Sequence, residues 1–113
     1  MRQEPAITVV IPTFNRPELL RVALDSLVRQ TFKDFEAIVV NDGKTDIAPV
    51  VAEFSGRLNL TAVKHEVSRM GLSAARNTGI RLSRGKYLVY LDDDDFFYNE
   101  HLEYLHTAVT SSQ

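Results

Sequence analysis

Lys86-Tyr87-Leu88-Val89-Tyr90-Leu91-Asp92-Asp93-Asp94-Asp95 is a continuous apolar run that stops abruptly in four carboxylates. An apolar run of this length without alternation suits a strand covered on both faces, and Gly85 marks the turn into it. The acids then stand at the strand's carboxyl end. Two carboxylates about 6 Å apart repel by roughly 2 to 3 kcal/mol at an effective dielectric near 20. Four of them beside a hydrophobic strand call for a compensating charge, and no Lys or Arg lies among them. A divalent cation is one such compensation. Mg2+ or Mn2+ takes hard oxygen ligands, needs only one or two carboxylates, and leaves positions for phosphate oxygens and water. In an extended segment Asp92 and Asp94 point to the same side, which makes them the natural pair for the ion. A plainer use of Asp94 and Asp95 is to precede a helix, where the dipole favours acids by about 0.3 to 1 kcal/mol.

Outward from this stretch the same signal recurs. Ile7-Thr8-Val9-Val10-Ile11 is a second apolar run of strand length, closed by Pro12-Thr13-Phe14-Asn15-Arg16-Pro17. Leu20, Ala23, Leu24, Leu27 and Val28 then fall on one face of a helix spanning about 17–30. Ala37-Ile38-Val39-Val40 is a third strand, ending in the polar loop Asn41-Asp42-Gly43-Lys44-Thr45-Asp46. Thr45 or Asp46 can cap a helix carrying Ile47, Val50, Val51 and Phe54 and ending near Gly56, with Pro49 in its first turn. Leu60 to His65 is more polar and closer to alternation, which places it nearer a sheet edge. After the loop Val67 to Gly71, Ser73 is the expected cap of a helix carrying Ala74, Ala75, Ile80 and Leu82. Asn99 is the expected cap of a last helix with Leu102, Leu105 and Val109 on one face, and the final Thr110 to Gln113 is expected to fray.

Strands alternating with helices predict an α/β domain: a mostly parallel sheet of about four strands with helices on both faces. In such sheets ligands bind beyond the carboxyl ends of the strands. Those ends carry Thr13 to Arg16, Asn41 to Asp46, Ser68 to Gly71 and Asp92 to Asp95, so the polar motifs converge on one edge. The composition adds exclusions. A net charge of −2 gives no general attraction to nucleic acid, so no nucleic-acid partner is expected. The absence of cysteine rules out disulfides and thiolate metal sites. With neither a signal-peptide core nor an apolar stretch near about 18 residues, the sequence reads as soluble and cytoplasmic.

Four segments together resemble the nucleotide-sugar-binding half of the inverting family-2 glycosyltransferases: Val9 to Arg16, Val39 to Asp46, Ala75-Arg76-Asn77-Thr78-Gly79, and Tyr90 to Asp95. They stand in that family's order and approximate spacing and span almost the whole chain. The resemblance implies a Rossmann-like GT-A half-domain, with residues 1–113 as one donor-binding unit. It implies that Asp42 accepts a hydrogen bond from the nucleotide base, that Pro12, Thr13, Phe14, Asn15, Arg16 and Gly43 line the nucleotide pocket, and that Arg76 and Asn77 approach the diphosphate. Asp92 and Asp94 match the family's Asp-x-Asp pair, with Asp94 the foremost ligand for Mn2+ or Mg2+ and Asp93 facing the ribose. Each assignment has a plainer counterpart. Asp42 beside Gly43 is also a common turn pairing, and an arginine on a helix is usually solvated. Asn41 stands where the family commonly has another acid.

The implied chemistry is transfer of a sugar from a nucleoside diphosphate sugar, with UDP-sugars favoured, to a carbohydrate or lipid-linked acceptor of the full-length protein. Inversion needs a general base near the acceptor hydroxyl, and the family supplies it from a second half that follows the Asp-x-Asp motif. The chain ends at Gln113 with nothing resembling that half, and Glu100, Glu103, His101 and His106 read as helix-surface residues. No catalytic residue is therefore assigned here. The chain is expected to be a truncated piece or a minimal donor-binding module, inactive alone, with an exposed apolar sheet surface open to self-association. By the same resemblance, the full-length protein is expected to work at the inner face of the membrane. Two other readings compete. A non-catalytic nucleotide- or protein-binding module could use the same scaffold. A phosphoacceptor receiver domain would place an acid pair after its first strand, where this chain has Pro12-Thr13.

Overall fold

The computed structural model describes residues 4–111. Its elements alternate strictly: β1 (Ile7–Thr13), α1 (Pro17–Val28), β2 (Phe35–Asn41), α2 (Ala48–Phe54), β3 (Leu60–Lys64), α3 (Leu72–Leu82), β4 (Tyr87–Tyr90) and α4 (His101–Ser111). The four strands form one parallel sheet in the order β3-β2-β1-β4. The predicted α/β architecture is present.

Side-chain alternation on the two central strands sorts the helices. Ile7, Val9 and Ile11 of β1 and Phe35, Ala37 and Val39 of β2 meet Leu20, Leu24 and Leu27 of α1, Val50 and Phe54 of α2 and Leu102 of α4 in one core. Ile38 and Val40 turn to the opposite face and pack with Ala75 of α3. There α3 comes close because Gly79 has no side chain; a Cβ at that position would collide with Val10 Cγ1. Helices thus cover both faces.

Pro12 belongs to β1 although the apolar run stops at Ile11. The β1–β4 register ends at Val10 and Tyr90, and the Val10 carbonyl accepts the Leu91 N–H. Pro12, two residues on, faces the same side beyond the end of β4, so its missing N–H leaves no sheet hydrogen bond unmade.

The deciding stretch differs from expectation in one respect. β4 is an outer strand paired only with β1, and Leu88 and Tyr90 are each 40% exposed. Continuous apolarity does not distinguish a central strand from an edge strand with partial cover, and it is β1 and β2 that are buried along their whole length. β3 is an outer strand, as its alternation predicts.

The caps also differ. α3 starts after Gly71, whose φ of 102° suits glycine, so Ser73 lies inside the helix rather than capping it. Asp46 Oδ1 accepts the Ala48 N–H at the start of α2. At α4 the side chain that satisfies a first-turn donor comes from another element: buried Gln30 accepts the Leu102 N–H and donates to the Tyr98 and Ser26 carbonyls. Asn99 instead offers its backbone carbonyl to the Thr31 N–H. Thr110 and Ser111 remain helical, their hydroxyls bonded to carbonyls one turn back. Residues 112–113 of the expected frayed end lie outside the described residues.

At the amino ends of the strands Glu36 is buried against Thr8 and Arg84. Its carboxylate accepts the Thr8 hydroxyl (2.6 Å), the Arg84 N–H (2.7 Å) and the Arg84 guanidinium (3.2 and 3.3 Å). Burial pushes this carboxyl up, but the hydrogen bonds outweigh it and hold it below its ordinary value. The cluster ties the β4 entry to the central strands at the end of the sheet away from the acids.

Candidate functional site

The loops after the strands enclose a cavity of about 640 Å3 lined by Pro12, Thr13, Phe14 and Arg16 from β1 and its loop, Asp42 after β2, Arg69 and Gly71 after β3, and Asp92, Asp93 and Asp94 after β4. Leu72 and Ala75 of α3 complete it. A concave site of this size with a few convergent polar groups suits a small-molecule ligand.

Asp42 anchors one side. Its backbone N–H donates to the Thr13 carbonyl and its own carbonyl accepts the Arg69 N–H, so three loops are locked together. Its Oδ1 accepts from the Met70 N–H (2.9 Å) and faces His65 Nδ1 (2.8 Å); Oδ2 accepts the Gly71 N–H (2.9 Å). A carboxylate has about four acceptor positions, so Oδ2 keeps capacity for one more donor. Burial pushes the Asp42 carboxyl up, and the bonds from His65, Gly71 and Met70 more than reverse this, leaving it below its ordinary value. It remains an anionic acceptor at neutral pH.

The four acids divide their work. Asp93 is buried and turned into the β1 loop, where Oδ2 accepts the Thr13 hydroxyl (2.9 Å) and the Phe14 N–H (3.2 Å). Asp95 serves the turn: its N–H donates to the Asp92 carbonyl and its Oδ1 accepts the Phe96 N–H. Asp92 and Asp94 line the cavity with side chains 55% exposed. Compensating charge arrives from distant sequence. Arg16 Nη1 lies 3.2 Å from Asp94 and 3.4 Å from Asp93, and Arg76 Nη2 lies 3.7 Å from Asp92. The segment containing Asp93 and Asp94 is a turn rather than an extended strand.

Among the described residues no three His, Cys, Asp or Glu side chains group to hold a metal alone. Two exposed carboxylates on one cavity nevertheless fit a Mg2+ or Mn2+ ion whose other positions go to phosphate oxygens and water.

The remaining expected residues spread out. Asn15, at φ 55°, accepts the Lys44 and Thr45 N–H groups through Oδ1 and so joins the β1 and β2 loops without lining the cavity. Gly43 packs on it; a Cβ there would collide with Asn15 Oδ1 and stand 2.8 Å from the Asn15 backbone nitrogen. Asn41 closes the same loop, donating to the Thr45 carbonyl and accepting the Gly43 N–H. Arg76 stacks 4.7 Å from the Tyr90 ring centre, with its buried Nε lacking a hydrogen-bond partner. Asn77 is exposed on α3 away from the cavity lining.

Two residues escaped the sequence reading. Arg69, at φ 64°, lines the cavity with its guanidinium 5.3 Å from the Phe14 ring centre. The only signal was its place in a strand-end loop. His65 was read only as the last residue of a strand, which the structure ends at Lys64.

Known proteins resemble this chain in sequence and in fold. The model of the family described as "Glycosyl transferase family 2" matches residues 8–111. The glycosyltransferase GlyA of Streptococcus pneumoniae is 35% identical over 113 residues, covering 100% of this chain and 16% of that protein. A crystal structure of S. aureus TarS in complex with UDP-GlcNAc superimposes with a TM-score of 0.86 at 28% identity, over 93% of this chain and 31% of that one. The mannosyltransferase PcManGT of Pyrobaculum calidifontis, in complex with GDP-Man and Mn2+, gives a TM-score of 0.74 at 32% identity, over 84% of this chain and 29% of that one. The chain thus spans less than a third of the length of these three proteins. The parallel sheet flanked by helices is the Rossmann-like GT-A arrangement. Matched by the family model over nearly its whole length, the chain belongs to glycosyl transferase family 2.

Proposed function

We propose that this chain is the donor-binding part of an inverting glycosyltransferase and binds a nucleoside diphosphate sugar in a metal-dependent way. The observation that carries the reading is one cavity lined both by a deprotonated Asp42 with a free acceptor position and by the exposed pair Asp92 and Asp94. Such a cavity suits a ligand with an N–H-bearing base at one end and a diphosphate at the other. The solved structures of relatives in complex with UDP-GlcNAc and with GDP-Man and Mn2+ support it.

Asp42 would accept from the base. Phe14 and Arg69, stacked on one another, offer it a flat surface. Asp93 holds the Thr13 to Arg16 loop in shape through the Thr13 hydroxyl and the Phe14 amide, so its contribution to ribose binding is chiefly to place that loop. Arg16 and Arg76 flank the acids and bring positive charge to the diphosphate end. Asp92 and Asp94 would hold Mn2+ or Mg2+. When bound, the ion supplies Lewis-acid stabilisation of the leaving diphosphate.

The general base and the acceptor site are assigned to the part of the full-length protein beyond this chain, whose acceptor we take to be a carbohydrate or a lipid-linked sugar. No helix among the described residues is long and apolar enough to cross a membrane. We place the donor half on the cytoplasmic side.

Calorimetric titration with UDP and with GDP, each with Mn2+ and with EDTA, tests the reading. Binding of at least one nucleotide is expected with Mn2+ and its loss in EDTA and in Asp94→Ala. A folded chain that binds neither nucleotide under either condition would overturn it.

A further inference from the structure

His65 follows directly on β3, and its N–H extends the sheet by donating to the Asn41 carbonyl (3.0 Å). Its side chain is only 10% exposed and is gripped at both ring nitrogens. Nδ1 lies 2.8 Å from Asp42 Oδ1, and Nε2 lies 2.8 Å from the Thr78 hydroxyl on α3. Thr78 is itself fixed by the Ala74 carbonyl (3.1 Å) and Arg81 Nη2 (3.1 Å). The pattern places a proton on Nδ1. Asp42 is an acceptor because two backbone N–H groups point at it, so Nδ1 must carry the proton it presents, while the Thr78 hydroxyl, whose own proton goes to the Ala74 carbonyl, holds the ring at Nε2.

Two donors therefore converge on Oδ1 and one on Oδ2. The unequal loading leaves the spare acceptor position on Oδ2. Without His65 that inequality disappears, and the carboxylate has one donor on each oxygen.

We propose that His65 is a positioning residue for base recognition: braced by Thr78, it loads Asp42 Oδ1 so that Oδ2 is the oxygen presented to the N–H on the pairing edge of a uracil- or guanine-type base. The inference rests on the donor-site reading above and extends it to a residue that does not line the cavity. It also makes α3, which carries Arg76 toward the acids, part of base selection through Thr78.

The test compares ligands with and without the base. Wild type, His65→Leu and His65→Asn are titrated, in Mn2+, with whichever of UDP and GDP the wild type binds and with ribose 5-diphosphate, which has no base. His65→Leu is expected to weaken the nucleotide about 10- to 100-fold, the worth of a hydrogen bond to a charged group, and to leave ribose 5-diphosphate within about 2-fold. His65→Asn, whose amide nitrogen can occupy the Nδ1 position, is expected to recover most of the loss. Equal weakening of both ligands would mean a general structural role and sink the proposal, as would an unchanged nucleotide affinity. If wild type binds neither nucleotide, the donor-site reading itself fails, which is a different result. A long-range 1H–15N spectrum of the wild-type histidines covers the case of unfolded variants: a proton on Nδ1 of His65 is expected, and a bare Nδ1 overturns the inference.

Discussion

Arg16 Nη1 lies 3.2 Å from Asp94 Oδ2, joining the loop after the first strand to the acids after the last. Positive charge that the Asp92 to Asp95 run lacks in sequence is thus brought to it in space. Arg16 and a divalent cation would compete for the same carboxylate.

Replacing Arg16 should therefore favour metal in the absence of nucleotide. An exposed ion pair is worth about 0.2 to 1 kcal/mol, so Arg16→Ala should bind Mn2+ about 1.4- to 5-fold more tightly. Titration of free Mn2+ by electron paramagnetic resonance reads this directly. Unchanged or weaker Mn2+ binding would show that Arg16 does not guard the site.

Acid should destabilise the domain through Glu36 before the site is considered. Its folded carboxyl lies below the ordinary value of 4.5, so the stability it contributes is fully present above that value and is lost as pH falls through the lower folded value. Melting temperatures measured from pH 7 down to about pH 3 should fall below about pH 4.5. Glu36→Gln should be less stable at neutral pH and show a flatter acid slope. A variant with the wild-type slope would remove Glu36 as the cause. Asp42, also held below its ordinary value of 3.8, should act at still lower pH and in the same direction.

Gln30 holds α4 in place from the end of α1. Gln30→Leu leaves the buried Leu102 N–H and Tyr98 carbonyl without those partners, at an expected cost of about 2 to 4 kcal/mol. Urea unfolding measures it. A loss below about 1 kcal/mol would mean that water or backbone shifts satisfy the helix start equally well.

Gly79→Ala should cost about 1 to 3 kcal/mol, because the new methyl group meets Val10 on a fully buried strand and α3 must move outward. Since α3 carries Thr78 and Arg76, nucleotide affinity should fall with it. An equally stable variant would show that α3 is free to shift.

Much of this was legible along the chain. Ile7 to Ile11 and Ala37 to Val40 announced the two central strands through unbroken apolarity, and the spacing of Leu20, Leu24 and Leu27 announced α1. Both are local patterns set by how a strand or a helix turns its side chains. The convergence of the four polar loops followed from the alternation of strands and helices alone. Ser73 and Asn99 misled because a capping residue type permits a cap without compelling one. The tertiary contacts chose Gly71 and Gln30 instead.

What the sequence by itself determined is the alternating α/β order, the parallel sheet and the edge on which Asp42, Asp92 and Asp94 gather, since these depend on periodicity and on chain direction. Which of the acids faces the cavity, which arginine balances it, and which oxygen of Asp42 stays free were decided only by the tertiary structure. Those outcomes depend on side chains far apart in sequence, Arg16 with Asp94, Thr13 with Asp93 and His65 with Asp42, meeting at hydrogen-bond distance. No local pattern encodes such meetings, because they arise from the packing of whole elements against one another.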